Sequence, residues 1–215
     1  MIKAVIFDLD GVIIDSEPIA YAILRDLVMP YGFDIPIDDY TSKYLGRTVA
    51  MGMTTIKETF SIPLSEEELM TQYLKKERDH VAKGIPLKPG ASELVKSLKE
   101  NNIKIIVASS SIRERAESIL ESHDILKYFD DLVFGYEVPR GKPYPDIFLK
   151  ACEKLNVKTD EAIVIEDSEA GIQAAYSAEI PVICIPDIKP PAKEYKEKAT
   201  YILNSLYDVK GILGL

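Results

Sequence analysis

Five short apolar runs constrain the fold of this chain more than any other feature: Ala4 to Phe7, Ile103 to Ala108, Leu132 to Phe134, Ala162 to Ile165 and Val182 to Ile185. Each is too short for an amphipathic helix and too continuously apolar for a half-exposed strand, so each reads as a strand covered on both faces. Helical patterns at Ala91 to Glu100, Ile112 to Ser122, Asp146 to Leu155 and Glu169 to Ala178 precede or separate the later runs. Strands alternating with helices imply right-handed crossovers and a parallel sheet, so the spacing predicts an α/β, doubly wound, Rossmann-like core of five strands.

The long stretch between Phe7 and Ile103 breaks this rhythm and reads mostly as helix, which predicts an inserted α-helical domain. Its helices are expected at about Glu17 to Met29, Thr48 to Phe60 and Ser65 to Ala82. Ser65 followed by Glu68 fits a capping box, and Thr48 and Asp38 are further cap candidates. The Pro- and Gly-rich segment Gly84-Ile85-Pro86-Leu87-Lys88-Pro89-Gly90 marks the return to the core. The expected division is therefore residues 1–15 and 86–215 for an α/β catalytic core and 16–85 for a helical cap. Open α/β sheets bind ligands at the carboxyl ends of their strands, and an insertion leaving from that edge would serve as a lid.

Hydrophobic residues at 47% and charged residues at 28% of 215 suit a chain that folds throughout. A formal net charge of -9 argues against nucleic acid, whose phosphates are held by clustered Lys and Arg, and favours a small partner. Met1 leads almost at once into the first run, and no later apolar run approaches membrane-spanning length; the expectation is a cytoplasmic protein, monomer or homodimer, without membrane contact. Cys152 and Cys184 both fall in apolar patterns and read as small core residues rather than a disulfide or thiolate metal site.

Asp8 and Asp10 directly follow the first run, with Gly11 permitting a sharp turn. Two carboxylates this close repel unless a cation neutralises them, and a hard ion such as Mg²⁺ prefers oxygen ligands; an Asx-type turn is the alternative use. The second run ends in Ser109-Ser110-Ser111, hydroxyl and N–H donors before a helix, which makes Ser109, with Ser110, the phosphate-binding candidate. Here the alternative is a helix cap and turn residues. Lys142 lies in a loop stiffened by Pro143 and Pro145, where a fixed ammonium could neutralise phosphate; a solvated surface Lys is the plainer alternative. The fourth run ends in Glu166-Asp167-Ser168 before a helix, supplying either metal ligands or an N-cap.

Asp8-x-Asp10-Gly11, Ser109, Lys142 and Glu166-Asp167 together resemble the four ordered motifs of the haloacid dehalogenase superfamily, across the whole chain. The opening from Asp8 to Glu17 and the helical insert are similar to the branch of β-phosphoglucomutases and sugar-phosphate phosphatases. The resemblance implies that Asp8 attacks phosphorus to form an aspartyl-phosphate, that Asp10 moves the protons, and that Ser109 and Lys142 bind phosphoryl oxygens. It implies Mg²⁺ held by Asp8, the Asp10 backbone carbonyl and Asp167, with Glu166 as a further ligand. Gly46-Arg47 resembles the cap loop of this branch, making Arg47 a candidate for binding phosphate or sugar, with a solvated Arg as the alternative. The Thr and His that follow the opening motif in the mutases are absent from Asp15-Ser16-Glu17-Pro18-Ile19-Ala20, which favours hydrolysis of a small phosphorylated metabolite over a mutase reaction.

Two readings of other classes stand beside it. A phosphoacceptor signalling domain also combines Asp, Ser or Thr, Lys and Mg²⁺ on a parallel sheet, but its acceptor Asp ends the third strand, where this chain reads Val133-Phe134-Gly135. A catalytically silent binding protein would not need every one of these polar groups.

Overall fold

A computed structural model describes residues 1–215. The strands are β1 (Ala4–Phe7), β2 (Lys104–Ser109), β3 (Asp131–Phe134), β4 (Ala162–Glu166), β5 (Val182–Cys184) and β6 (Tyr201–Ile202). They form one parallel sheet in the order β3-β2-β1-β4-β5-β6. The chain winds outward from β1 to β2 and β3, then crosses back to β4 on the other side. The carboxyl ends of β1 and β4 therefore flank a topological switch point, where α/β sheets open a crevice.

Helices α1 (Glu17–Val28), α2 (Ile37–Lys43), α3 (Val49–Thr59) and α4 (Glu66–Lys83) lie between β1 and β2 in sequence. They are followed by α5 (Ala91–Glu100), α6 (Arg113–Ser122), α7 (Asp146–Leu155), α8 (Glu169–Ser177), α9 (Lys193–Lys196) and α10 (Val209–Leu213). The chain divides into two compact units, one of Met1–Asp15 with Pro86–Leu215 and one of Ser16–Ile85.

Alternate residues of the strands supply one face of the first unit's core. Ala4, Ile6, Ile106, Ala108, Ala162, Val164, Val182 and Cys184 pack in one cluster with Ile147, Phe148, Ala151 and Leu155 of α7 and Ile172, Ala174 and Ala175 of α8. The intervening residues Val5, Phe7, Ile105, Val107, Ile163 and Ile165 are equally buried, which is why the runs carry no polar alternation. Each large side chain buried in this way contributes about 1.5–3 kcal/mol, so the sheet edge above them rests on a rigid base. Cys152 and Cys184 are free and buried, and burial pushes their thiols up to about 11 and about 12, away from thiolate chemistry.

The second unit has its own core, in which Ile23, Leu24, Leu27 and Val28 of α1 meet Tyr40, Met53, Ile56, Leu69 and Tyr73. Its longest helix, α4, opens with a full capping box: Glu68 N–H donates to Ser65 Oγ (3.1 Å) and Ser65 N–H to Glu68 Oε2 (2.8 Å). The Thr48 hydroxyl caps α3 by accepting from Met51 N–H at 3.3 Å.

Three expectations need correction. The sheet has six strands rather than five, because β6 is two residues long and both are exposed, leaving no apolar run to read. Helices α2, α9 and α10 lie outside the expected set, since each buries at most one side chain and so lacks periodicity. Asp38 lies inside α2, whose N-cap position is Pro36, and provides no side-chain cap. Other element ends differ from expectation by one or two residues, the usual scatter of helix and strand termini.

Candidate active site

Register brings the polar groups together. Phe7 of β1 is level with Val107 of β2 and Ile165 of β4, so the next residue of each strand, Asp8, Ala108 and Glu166, stands at one height on the carboxyl edge. Lys142 reaches this edge from the loop before α7. Its ammonium donates to Asp8 Oδ1, to the Ala108 carbonyl at 3.1 Å and to Glu166 Oε1 at 2.6 Å. All three ammonium protons are thereby matched, one to the end of each of three adjacent strands. The Lys142 side chain is 7% exposed and lies over the Phe148 ring, so this cation is part of the fold rather than a solvated loop residue.

Glu166 is buried completely, and its other oxygen is caged by protein donors. Oε2 accepts from Asp167 N–H (3.0 Å), Ser168 N–H (2.9 Å) and the Ser168 hydroxyl (2.9 Å). The same hydroxyl accepts from Gly171 N–H at 3.1 Å and is the N-cap of α8. Ser168, not Asp167, therefore caps this helix. Glu166, expected as a metal ligand, has Oε1 bonded to Lys142 and Oε2 to the first turn of α8.

Asp8 is buried, and desolvation raises its carboxyl from the ordinary 3.8 to about 7, with Lys142 opposing and Glu166 and Asp10 adding to the rise. Asp167 is pushed well above the usual carboxylate range by burial and by the charges of Glu166, Asp8 and Asp187. Asp8, Glu166 and Asp167 meet one buried ammonium, that of Lys142, which bonds only the first two, so ionisation of all three would leave the site with an excess of negative charge. Gly11 (φ +77°) lets Asp167 approach the turn after β1: a Cβ there would fall 2.3 Å from Asp167 Oδ2. An all-oxygen set with excess negative charge, gathered around a position that only glycine can occupy, fits a hard divalent cation. No cluster of three or more His, Cys, Asp or Glu side chains is arranged as a metal cage by itself.

Asp10 points elsewhere. Its carboxylate is forked by Arg115 of α6, Nη2 to Oδ1 at 2.8 Å and Nη1 to Oδ2 at 3.1 Å. Ser109, at the end of β2, is 2% exposed, and its oxygen accepts from Ser111 N–H at 3.0 Å, which leaves its hydroxyl proton for a ligand. Ser110 is exposed. Arg47 is exposed on the second unit, and its backbone N–H donates to the Tyr44 carbonyl. His80 and His123 are partly exposed and stand in α4 and just after α6.

Arg115, Lys88 and Asp187 are not among the residues expected from the sequence. Lys88 bridges Asp187 (2.7 Å) and Asp15 (3.3 Å), tying the segment after β5 to the end of the first core segment. A Lys in a Pro-rich linker and an Arg in a polar helix carry no local mark of these distant partners.

The family model of haloacid dehalogenase-like hydrolases matches residues 5–185. The chain is 34% identical over 178 residues to the phosphorylated carbohydrates phosphatase of Thermotoga maritima, covering 83% of this chain and 82% of that protein. It is 37% identical over 187 residues to the β-phosphoglucomutase of Bacillus subtilis, covering 82% and 80% respectively. The crystal structure of β-phosphoglucomutase from Clostridium difficile superposes with a TM-score of 0.77 at 30% identity, covering 99% of this chain and 95% of that one.

Proposed function

Because this chain belongs to the haloacid dehalogenase-like hydrolases, we propose that it is a Mg²⁺-dependent phosphatase that hydrolyses a small phosphorylated metabolite, a sugar phosphate, through an aspartyl-phosphate on Asp8. The observation that carries the reading is the single buried ammonium of Lys142 joining Asp8 to Glu166 at the switch point of the sheet.

Lys142 engages Asp8 Oδ1, which leaves Oδ2 to attack phosphorus. In the first half-reaction the Oδ2–P bond forms, the ester P–O bond breaks, and the departing alkoxide takes a proton from Asp10. In the second, water attacks phosphorus, the Asp8–phosphorus bond breaks, and Asp10 takes back the proton of that water. Ser109, with Ser110, and Lys142 hold phosphoryl oxygens; Lys142 does so by exchanging one of its present acceptors for the substrate. Asp8, Asp167 and the Asp10 carbonyl are the proposed holders of Mg²⁺, whose bound charge offsets that of the phosphoryl group. Arg47 is the proposed substrate contact from the inserted unit. No helix is long and apolar enough to cross a membrane, and the reading extends to a cytoplasmic enzyme.

The test is phosphate release from a panel of phosphorylated metabolites with Mg²⁺, combined with hydroxylamine trapping of an acyl phosphate. Wild type should release phosphate and yield the trapped adduct, while Asp8→Asn should do neither. Equal rates for the two proteins would remove Asp8 from the mechanism.

The likeness to B. subtilis β-phosphoglucomutase supports a second reading, transfer of the phosphoryl group to a sugar rather than to water. Incubation with β-glucose 1-phosphate separates the two: the hydrolase releases free phosphate, whereas accumulation of glucose 6-phosphate without it would establish the mutase.

A further inference from the structure

Arg115 occupies an unfavourable place for a cation. It is the third residue of α6, where the helix dipole disfavours positive charge, and its side chain is only 13% exposed. What it gains there is a bidentate bond to Asp10, at 2.8 and 3.1 Å, from a residue far away in sequence. Its Nη1 also donates to Ser111 Oγ at 3.1 Å, one turn back on the same segment. Ser111 in turn donates its N–H to Ser109 Oγ. Ser111, through its hydroxyl to Arg115 and its backbone N–H to Ser109, thus links the Asp10–Arg115 pair to Ser109.

We infer that Arg115 is a positioning residue for Asp10: its planar fork fixes the orientation of the Asp10 carboxylate relative to the hydroxyl of Ser109. This rests on the reading of Asp10 as the proton carrier. A fork suits the task because two parallel bonds fix the plane of a carboxylate, which a lysine's point charge does not. It is compatible with proton transfer because each carboxylate oxygen accepts one bond from Arg115 and retains a second lone pair. An Asp10 side chain 37% exposed would otherwise sample several rotamers, and displacement of a catalytic group by about 1 Å can slow a reaction on the order of a hundredfold.

The test compares kcat/KM for an alkyl phosphate, whose leaving group needs a proton, with that for p-nitrophenyl phosphate, whose leaving group departs without one. Arg115→Gln should lose about 10–100-fold on the alkyl ester and less than about threefold on the aryl ester. Arg115→Lys should recover little, and guanidinium ion added to Arg115→Ala should restore the alkyl ester preferentially. Ser111→Ala, a milder change, should shift the same ratio in the same direction, and it keeps the test intact if the Arg115 variants fold poorly. Equal losses on both esters, or full recovery with Lys, would overturn the inference. Asp10→Asn in the same assay separates the two levels. If it does not discriminate between the esters, the reading of Asp10 itself fails; if it discriminates and the Arg115 and Ser111 variants do not, only the positioning role fails.

Discussion

Gly171 lies against the carboxylate of Glu166 so closely that a Cβ built on it would fall 1.8 Å from the Glu166 carboxyl carbon. The contact sets the depth to which Glu166 can sink beneath Lys142, because the first turn of α8 presents no side chain there.

Gly171→Ala is therefore expected to destabilise the protein even though alanine is the better helix former by about 1 kcal/mol. The displaced carboxylate accepts from Lys142, Asp167 N–H, Ser168 N–H and the Ser168 hydroxyl, charge-assisted bonds at about 1.5–3 kcal/mol each. A net loss of about 2–4 kcal/mol and at least a tenfold drop in phosphatase rate should follow. Urea titration beside rate measurement checks this; a variant with parental midpoint and rate would show that Glu166 shifts freely.

Removing Lys142 strands two buried carboxylates. Lys142→Met should be destabilised by about 3–5 kcal/mol, the usual consequence of leaving buried charge without its partner. Adding Glu166→Gln should recover part of that loss by removing one of the two charges. A double variant less stable than Lys142→Met would contradict this electrostatic account, and thermal melts at neutral pH decide it.

The raised carboxyl of Asp8 gives stability a definite pH dependence when divalent cations are chelated. Below about pH 4 the group is protonated in both folded and unfolded chains, so it makes no difference. Between the ordinary 3.8 and about 7 the unfolded chain releases this proton while the folded one retains it, so stability falls as pH rises and the loss is complete above about 7. Asp167 shifts in the same direction and adds the same sign. In chelator, Asp8→Asn should gain melting temperature relative to wild type on going from pH 5 to pH 8, and added Mg²⁺ should raise the wild-type value more at pH 8 than at pH 5. A constant difference across that range would refute the assignment.

The inserted unit offers a control in which none of the residues of this chemistry is changed. Ser65→Ala deletes the capping box of α4 and should lower stability by about 1 kcal/mol, with kcat unchanged. Proteolysis within Ser16–Ile85 under native conditions would report it directly, and unaltered susceptibility would mean that the cap contributes nothing measurable.

How much of this was legible beforehand depends on whether a signal is local. The strands of the core announced themselves because burial on both faces demands continuous apolar side chains, and the capping box of α4 is written in two residues three apart. Asp8, Ser109, Lys142 and Glu166 could be singled out because the carboxyl edge of a parallel sheet is predictable once its strands are. What escaped were relationships that exist only after folding. Arg115 reads as one of several charges on a polar helix until Asp10 is brought beside it, and Gly171 as an ordinary helix residue until Glu166 fills the space where its side chain would be. The sequence neighbourhood of Glu166 likewise shows a carboxylate at a strand end but not the four donors that close around it.

The segment that begins the insertion and the one that ends it are stitched together. Ile14 and Leu87 form an antiparallel bridge, Asp15 N–H donates to the Pro86 carbonyl at 2.8 Å and Lys88 N–H to the Ile13 carbonyl at 2.9 Å. The sheet therefore sees Ser16–Ile85 as a single loop clasped at its base, and the closure entropy of a loop grows only with the logarithm of its length. Such a clasp makes the insert an exchangeable cartridge: a different helical module, longer or shorter, could be grafted between Asp15 and Pro86 without changing the register of any core strand. The residues arranged around Lys142 would stay as they are.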